Sequence, residues 1–182
     1  MIAASVLALS GCATKSAANK GNTAGSTIKI GVNMELSGAV AGYGEQEKQG
    51  VELAVKQINA AGGIKVGNSK KKITAIYRDN KSSTSGAASV AAQLANSDKA
   101  VAIVGPATTN DGTASIPNVT KAGVPMVGPS ATDPNFTLQK NGSVQKYVFR
   151  ACFTDAFQGE KAAVFANDTL KVKNIAIIAD NS

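Results

Sequence analysis

Residues 28–64 read IKIGVNMELSGAVAGYGEQEKQGVELAVKQINAAGGI, and this stretch decides the fold. Its first seven residues, Ile28 to Met34, form an apolar run rich in β-branched side chains, which predicts a strand. A loop carrying Gly38, Gly42 and Gly44 follows. Over 45–60, Val51, Ala54, Val55 and Ile58 recur at i, i+3, i+4 and i+7, one face of an amphipathic helix. Gly62-Gly63 ends that helix, because glycine accepts the left-handed backbone a helix terminus favours. A strand, a loop, a helix and a stop make the first part of a βαβ unit.

Downstream the same unit recurs. Lys72 to Asp79 predicts a second strand. Ser82 to Ser85 supply capping chemistry for a helix whose inner face is Ala87, Val90, Ala91 and Leu94. Ala100 to Val104 is wholly apolar, as expected of a strand covered on both faces. Thr109 to Lys121 predicts a helix with Pro117 inside it, and Val124–Val127 and Tyr147–Arg150 predict further strands. Phe157 to Thr169 reads as a helix and Asn174 to Ala179 as a last strand. The expected fold class is therefore α/β, a doubly wound parallel sheet. A parallel strand at Asn174–Ala179 requires a further crossover, so the expectation is that the protein continues past Ser182.

Upstream, Ile2 to Leu9 is a short apolar run ending in Leu9-Ser10-Gly11-Cys12. It is too short to span a bilayer and has the character of a signal-peptide core, without the charged residues that normally precede one. A small-residue pair followed by cysteine is the pattern of a bacterial lipobox, which makes Cys12 the expected lipid attachment point. Residues 12–27 are then a flexible tether of small and polar residues.

Composition narrows the chemistry. Of 182 residues, 43% are apolar, enough to bury a core, and there is no histidine, which excludes His-based triads, dyads and metal sites. Two cysteines, Cys12 and Cys152, are too few for a structural zinc site or a disulfide framework, and Cys152 is expected to be a buried free thiol. The net charge of +7 comes from scattered lysines with few aromatics among them, which argues against nucleic-acid binding. No cofactor, metal or enzymatic function is expected.

In an open α/β sheet, ligands bind at the carboxyl ends of the strands. Three glycine-bearing loops fall there: Glu35–Gly44, Gly105–Thr109 and Gly128–Thr132. Gly42-Tyr43-Gly44 fails as a dinucleotide fingerprint because Glu47 stands at the third glycine position. Gly105-Pro106-Ala107-Thr108-Thr109 ends a strand and opens a helix, where free N–H groups and the helix dipole favour an anion. The same threonines would serve equally as an ordinary helix cap. No Lys or Arg lies between Ala100 and Thr120, so a single carboxylate suits the turn better than a polyphosphate. Gly128-Pro129-Ser130-Ala131-Thr132 adds acceptors beside it, and the pair together suits a zwitterion.

Four stretches carry a family resemblance: Ile30-Gly31-Val32 through Leu36-Ser37-Gly38; Tyr43-Gly44 with Gly50 and Ile58-Asn59-Ala60-Ala61-Gly62-Gly63-Ile64; Val104-Gly105-Pro106; and Val124-Pro125-Met126-Val127 through Ser130-Ala131-Thr132. In them the chain resembles the type I solute-binding proteins of ABC importers, the branched-chain amino-acid group. Phe149-Arg150 with Asp155, Gln158 and Gly159 is similar to that family's crossing into a second lobe. The resemblance implies a first ligand-binding lobe over 28–148 and the beginning of a second over 149–182. It implies that Thr109 binds an α-carboxylate, that Ser130 and Thr132 bind the carboxylate or amino group, and that Tyr43 packs on an aliphatic side chain. It further implies a monomer outside the cell membrane, with a Leu/Ile/Val-like amino acid and permease subunits as partners. Asp133, beside the pocket loop, sets a question mark over strictly aliphatic specificity. A ligand-sensing receptor or regulator of the same fold is the competing reading.

Overall fold

A computed structural model describes residues 27–178. Cys12, the apolar run before it and the tether lie outside the described residues. Six strands form one sheet: β1 Thr27–Met34, β2 Ile64–Val66, β3 Ser69–Asp79, β4 Ala102–Val104, β5 Met126–Gly128 and β6 Val148–Arg150. Their order is β2-β3-β1-β4-β5-β6. All neighbours run parallel except β2 and β3, which form an antiparallel hairpin. The sheet is thus doubly wound and parallel, as expected, with one antiparallel edge strand that was not anticipated. That strand is short and exposed throughout, so it has no buried face to betray it.

Helices α1 Ala41–Ala60, α2 Thr84–Asn96, α3 Thr109–Ala122 and α4 Asp155–Val164 follow β1, β3, β4 and β6. The α2 stripe of Ala87, Val90, Ala91 and Leu94 is buried, as its spacing requires. It packs with Ile103, Val119, Met126, Phe136 and Val148 into the main core on one face of the sheet. Each such side chain contributes about 1.5–3 kcal/mol on leaving water. On the other face Val32 and Met34 are fully buried, with half-buried Val51 of α1, Tyr77 and Val104 packed against them. Ser83 caps α2 through a 3.1 Å bond from the Gly86 N–H, and Thr108 caps α3 through Asp111 N–H at 3.3 Å.

Several boundaries differ from the sequence expectation. Gly42, Tyr43 and Gly44 lie inside the first turns of α1 rather than in a loop before it. The last helix stops at Val164 and continues as a π-helical turn, Phe165–Thr169. Residues 174–178 are not a strand. Their backbone is irregular, and Ile177 and Ile178 are 88% and 100% exposed. An apolar segment forms a parallel strand only beside a neighbour that supplies hydrogen bonds, and none of the described strands pairs with it. Phe153, Phe157 and Phe165 are exposed, in keeping with that lack of neighbours. Cys152 is a free thiol, but only half-buried rather than in the core.

Candidate functional site

β1 lies between β3 and β4, so the chain leaves it toward opposite sides of the sheet, and the switch point falls between the loops after β1 and β4. Both loops are drawn close by two glycines. A Cβ on Gly44 would sit 2.2 Å from the Glu35 carbonyl oxygen, so α1 could not start where it does with any other residue there. At Gly105, φ is +91° and a Cβ would sit 2.0 Å from the Asn33 carbonyl oxygen.

Beneath the loops lies a buried polar network. The Asn33 amide donates to the Ala87 carbonyl at 3.0 Å and to Ser115 Oγ at 3.4 Å, and it accepts from the Asn80 amide at 3.2 Å. These bonds tie β1 to α2, α3 and the end of β3. Asp79 ties the β1 loop from the other side, accepting from the Leu36, Ser37 and Lys81 N–H groups and from the Ser37 hydroxyl. Burial pushes its carboxyl upward, but the Ser37 hydroxyl and those three N–H groups outweigh it and hold the group below its ordinary range.

The anion site at the start of α3 is partly filled from within. Glu35 is fully buried, and its carboxylate accepts from Ala107 N–H at 3.0 Å, Thr108 N–H at 3.1 Å and Thr108 Oγ1 at 3.3 Å. Sequence reasoning missed this residue, although a lone carboxylate between Met34 and Leu36 at a strand end was a visible signal. The outer N–H groups, those of Thr109 and Asn110, have no hydrogen-bond acceptor among the described residues. Asp111, one turn into α3, is 4% exposed. Burial and then the neighbouring Glu35 carboxylate push its carboxyl up to about 6.

A cleft of about 490 Å³ opens over these outer groups, lined by Tyr43, Ala107, Thr108, Thr109, Ser130, Thr132, Phe153, Asp155 and Gln158. The four residues singled out from the sequence, Tyr43, Thr109, Ser130 and Thr132, therefore come together at one place. Tyr43 projects from α1 and is 64% exposed. Thr109 Oγ1 accepts from the Asp133 N–H at 3.4 Å, and the Thr132 carbonyl accepts from the Asp155 N–H at 3.0 Å. Ser130 Oγ donates to Glu47 Oε1 at 2.5 Å. Burial raises the Glu47 carboxyl, the Ser130 bond lowers it and Glu35 raises it, leaving it above its ordinary range. Asp133 does not enter the cleft. Its carboxylate accepts from Asn135 N–H at 2.7 Å and caps the 3-10 turn Pro134–Thr137.

A family model described as periplasmic binding protein matches residues 27–182. A Leu/Ile/Val-binding protein homolog from Brucella melitensis is 35% identical over 153 residues, covering 84% of this chain and 39% of its own length. The chain thus spans well under half the length of the curated relatives it matches. Among solved structures, the branched-chain amino acid transporter substrate binding protein LivJ of Streptococcus pneumoniae, in complex with isoleucine, is 46% identical with a TM-score of 0.71. That match covers 80% of this chain and 39% of the other. A leucine binding protein, LivK, of Thermotoga maritima is 30% identical with a TM-score of 0.66, covering 80% and 38%. The family model spans most of the chain, and the chain therefore belongs to the periplasmic binding protein family.

Proposed function

We propose that this chain is the first ligand-binding lobe, with the beginning of a second, of an extracytoplasmic substrate-binding protein of an ABC importer, and that it captures a free branched-chain amino acid. The observation that carries the reading is the meeting of Tyr43, Thr109, Ser130 and Thr132 around the open N-terminus of α3. The ligand carboxylate takes the free N–H groups of Thr109 and Asn110 and the Thr109 hydroxyl, with the helix dipole in support. The Ser130 and Thr132 loop offers acceptors to the ammonium, and Asp155 adds a carboxylate at the rim. Tyr43 and Phe153 supply apolar surface for the side chain. Binding needs no bond to be made or broken, so the protein acts as a carrier that hands its ligand to permease subunits. Cys12 carries the lipid that holds it, as a monomer, at the outer face of the cell membrane.

A ligand panel tests the reading. Leucine, isoleucine and valine are expected to bind, while leucinamide, which lacks the carboxylate, is expected to bind at least about ten-fold more weakly. Leucinamide binding as tightly as leucine would remove the α3 terminus from the site. For the anchor, Cys12→Ser is expected to abolish lipid labelling, and unchanged labelling would overturn it.

A further inference from the structure

At the ligand end of the sheet five carboxylates, Glu35, Glu47, Asp79, Asp111 and Asp155, outnumber the cations Lys48, Lys81 and Arg150. The opposite end is basic. The β2–β3 hairpin reaches past the start of β1, since Thr27 is in register with Lys72 while Ser69, Lys70 and Lys71 lie beyond it. Lys65, Lys70 and Lys72 on that hairpin are exposed, and Lys71 is half-buried. Exposed Lys99, Lys121 and Lys146 stand just before β4, β5 and β6, at the same end. The two poles are separated by the length of β1, about 25 Å at strand rise.

Lys70 and Lys72 donate to the Ala61 and Asn59 carbonyls at the end of α1, but no described carboxylate pairs with the lysines of the base. The ion pairs among the described residues are Lys48 with Glu45 and Glu52, Arg78 with Asp98, and Lys161 with Glu160. Asp98, the acid nearest the base in sequence, is thus engaged by Arg78 at 2.7 Å. No Asp or Glu occurs between Glu52 and Asp79. The hairpin also sets Lys65 directly opposite Lys70 across the ladder. Like charges in that position destabilise a strand pair, and no described carboxylate stands beside either of them.

We propose that this lysine-bearing base is a docking surface for anionic lipid headgroups. The chain itself argues for a lipid surface over other polyanions. β1 starts at this end, so Thr27 joins the base to Cys12 through 14 intervening residues, two of them lysines. Even fully extended, that many residues reach at most about 50 Å, which keeps the base within that distance of an anchored membrane. The tether's part rests on the anchor proposed above; the charge pattern of the base does not.

The test therefore uses the full chain carrying Cys12→Ser, so that lipidation plays no part. Sedimentation is measured with vesicles of phosphatidylcholine alone and with vesicles containing about one-third phosphatidylglycerol. Binding is expected only to the second kind, and it is expected to vanish at about 1 M salt, where the Debye length is about 3 Å. Combined Lys65, Lys70, Lys71 and Lys72→Gln is expected to weaken it by at least about a hundred-fold. The separate triple variant Lys99, Lys121 and Lys146→Gln, checked for native circular dichroism, is expected to weaken it by at least about ten-fold. Failure of the parent to bind, equal binding to neutral vesicles, unchanged binding by both variants, or full displacement by equimolar free phosphate would each overturn the proposal. Leucine affinity of the lysine variants, which lie at the far end from the cleft, is a separate readout expected to stay unchanged.

Discussion

The Glu35 carboxylate accepts the backbone N–H of Thr108 at 3.1 Å and is shut off from solvent. One side chain from the end of β1 thereby fixes the turn that ends β4, across the switch point of the sheet. It occupies the inner N–H groups of that turn and leaves the outer ones for a ligand. The negative charge it brings also limits how many anions the turn can hold. A polyphosphate would bring several negative charges beside Glu35, Asp111 and Glu47, whereas a carboxylate brings one.

Removing that tie should be costly. Glu35→Ala strands the Ala107 and Thr108 N–H groups in a buried place, and an unmet partner of a charged hydrogen bond costs about 1.5–3 kcal/mol. Urea unfolding should show the midpoint falling by a corresponding amount. A variant as stable as the parent would mean that water replaces the carboxylate without loss.

Asp111 should make stability depend on pH. Its carboxyl titrates at about 6 in the folded chain and at about 3.9 when unfolded. The folded state therefore binds the proton more tightly. Its contribution is fully present below about pH 3.9 and is lost as pH rises through about 6. Asp111→Asn should remove this component, so the variant should gain on the parent as pH rises from about 4 to about 6 and keep that gain above it. Unfolding midpoints across that range check it, and a difference that stays constant with pH would contradict it.

Two glycines in the first turn of α1 should respond in opposite ways. Gly44→Ala forces a methyl against the Glu35 backbone at 2.2 Å, so it should destabilise the chain by several kcal/mol or prevent folding. Gly42 has nothing within 4 Å, so Gly42→Ala should stabilise the helix by about 0.5–1 kcal/mol. Thermal unfolding of the two variants side by side would show it. A shift of the same sign in both would argue against the close approach at Gly44.

The parts of the fold with periodic apolar patterns were readable in the sequence. The α2 stripe, the buried β1 run and the Thr109 start of α3 depend on local spacing, and each stands where its spacing placed it. The hairpin strand β2 was not read, although Gly67-Asn68 between Val66 and Ser69 is a recognised two-residue hairpin signal. Its lysines and exposed positions gave no alternation to support it. At the site, the topology pointed to the loops after parallel strands, while the roles of Tyr43, Thr109, Ser130 and Thr132 came from the family resemblance; the structure brings these four residues to one cleft. The carboxylates of Glu35 and Asp111 were not found, because their importance lies in burial and mutual distance, which a linear pattern does not encode. The reading of Asn174–Ala179 as a strand failed for a related reason: composition allows a strand, but only a partner makes one.

The α3 terminus as the carboxylate-binding element is tested most directly by amide NMR of the chain during a leucine titration, repeated with Thr109→Ala and Thr113→Ala. Thr113 is one turn further along α3 and lines a different cavity, beside Phe136. The expected result is shifts centred on Thr109, Asn110 and Thr132, an affinity loss of about ten- to hundred-fold in Thr109→Ala, and little change in Thr113→Ala. Shifts centred instead on the apolar groove beside Val51, Ala54 and Ile58, or equal losses in the two variants, would contradict it.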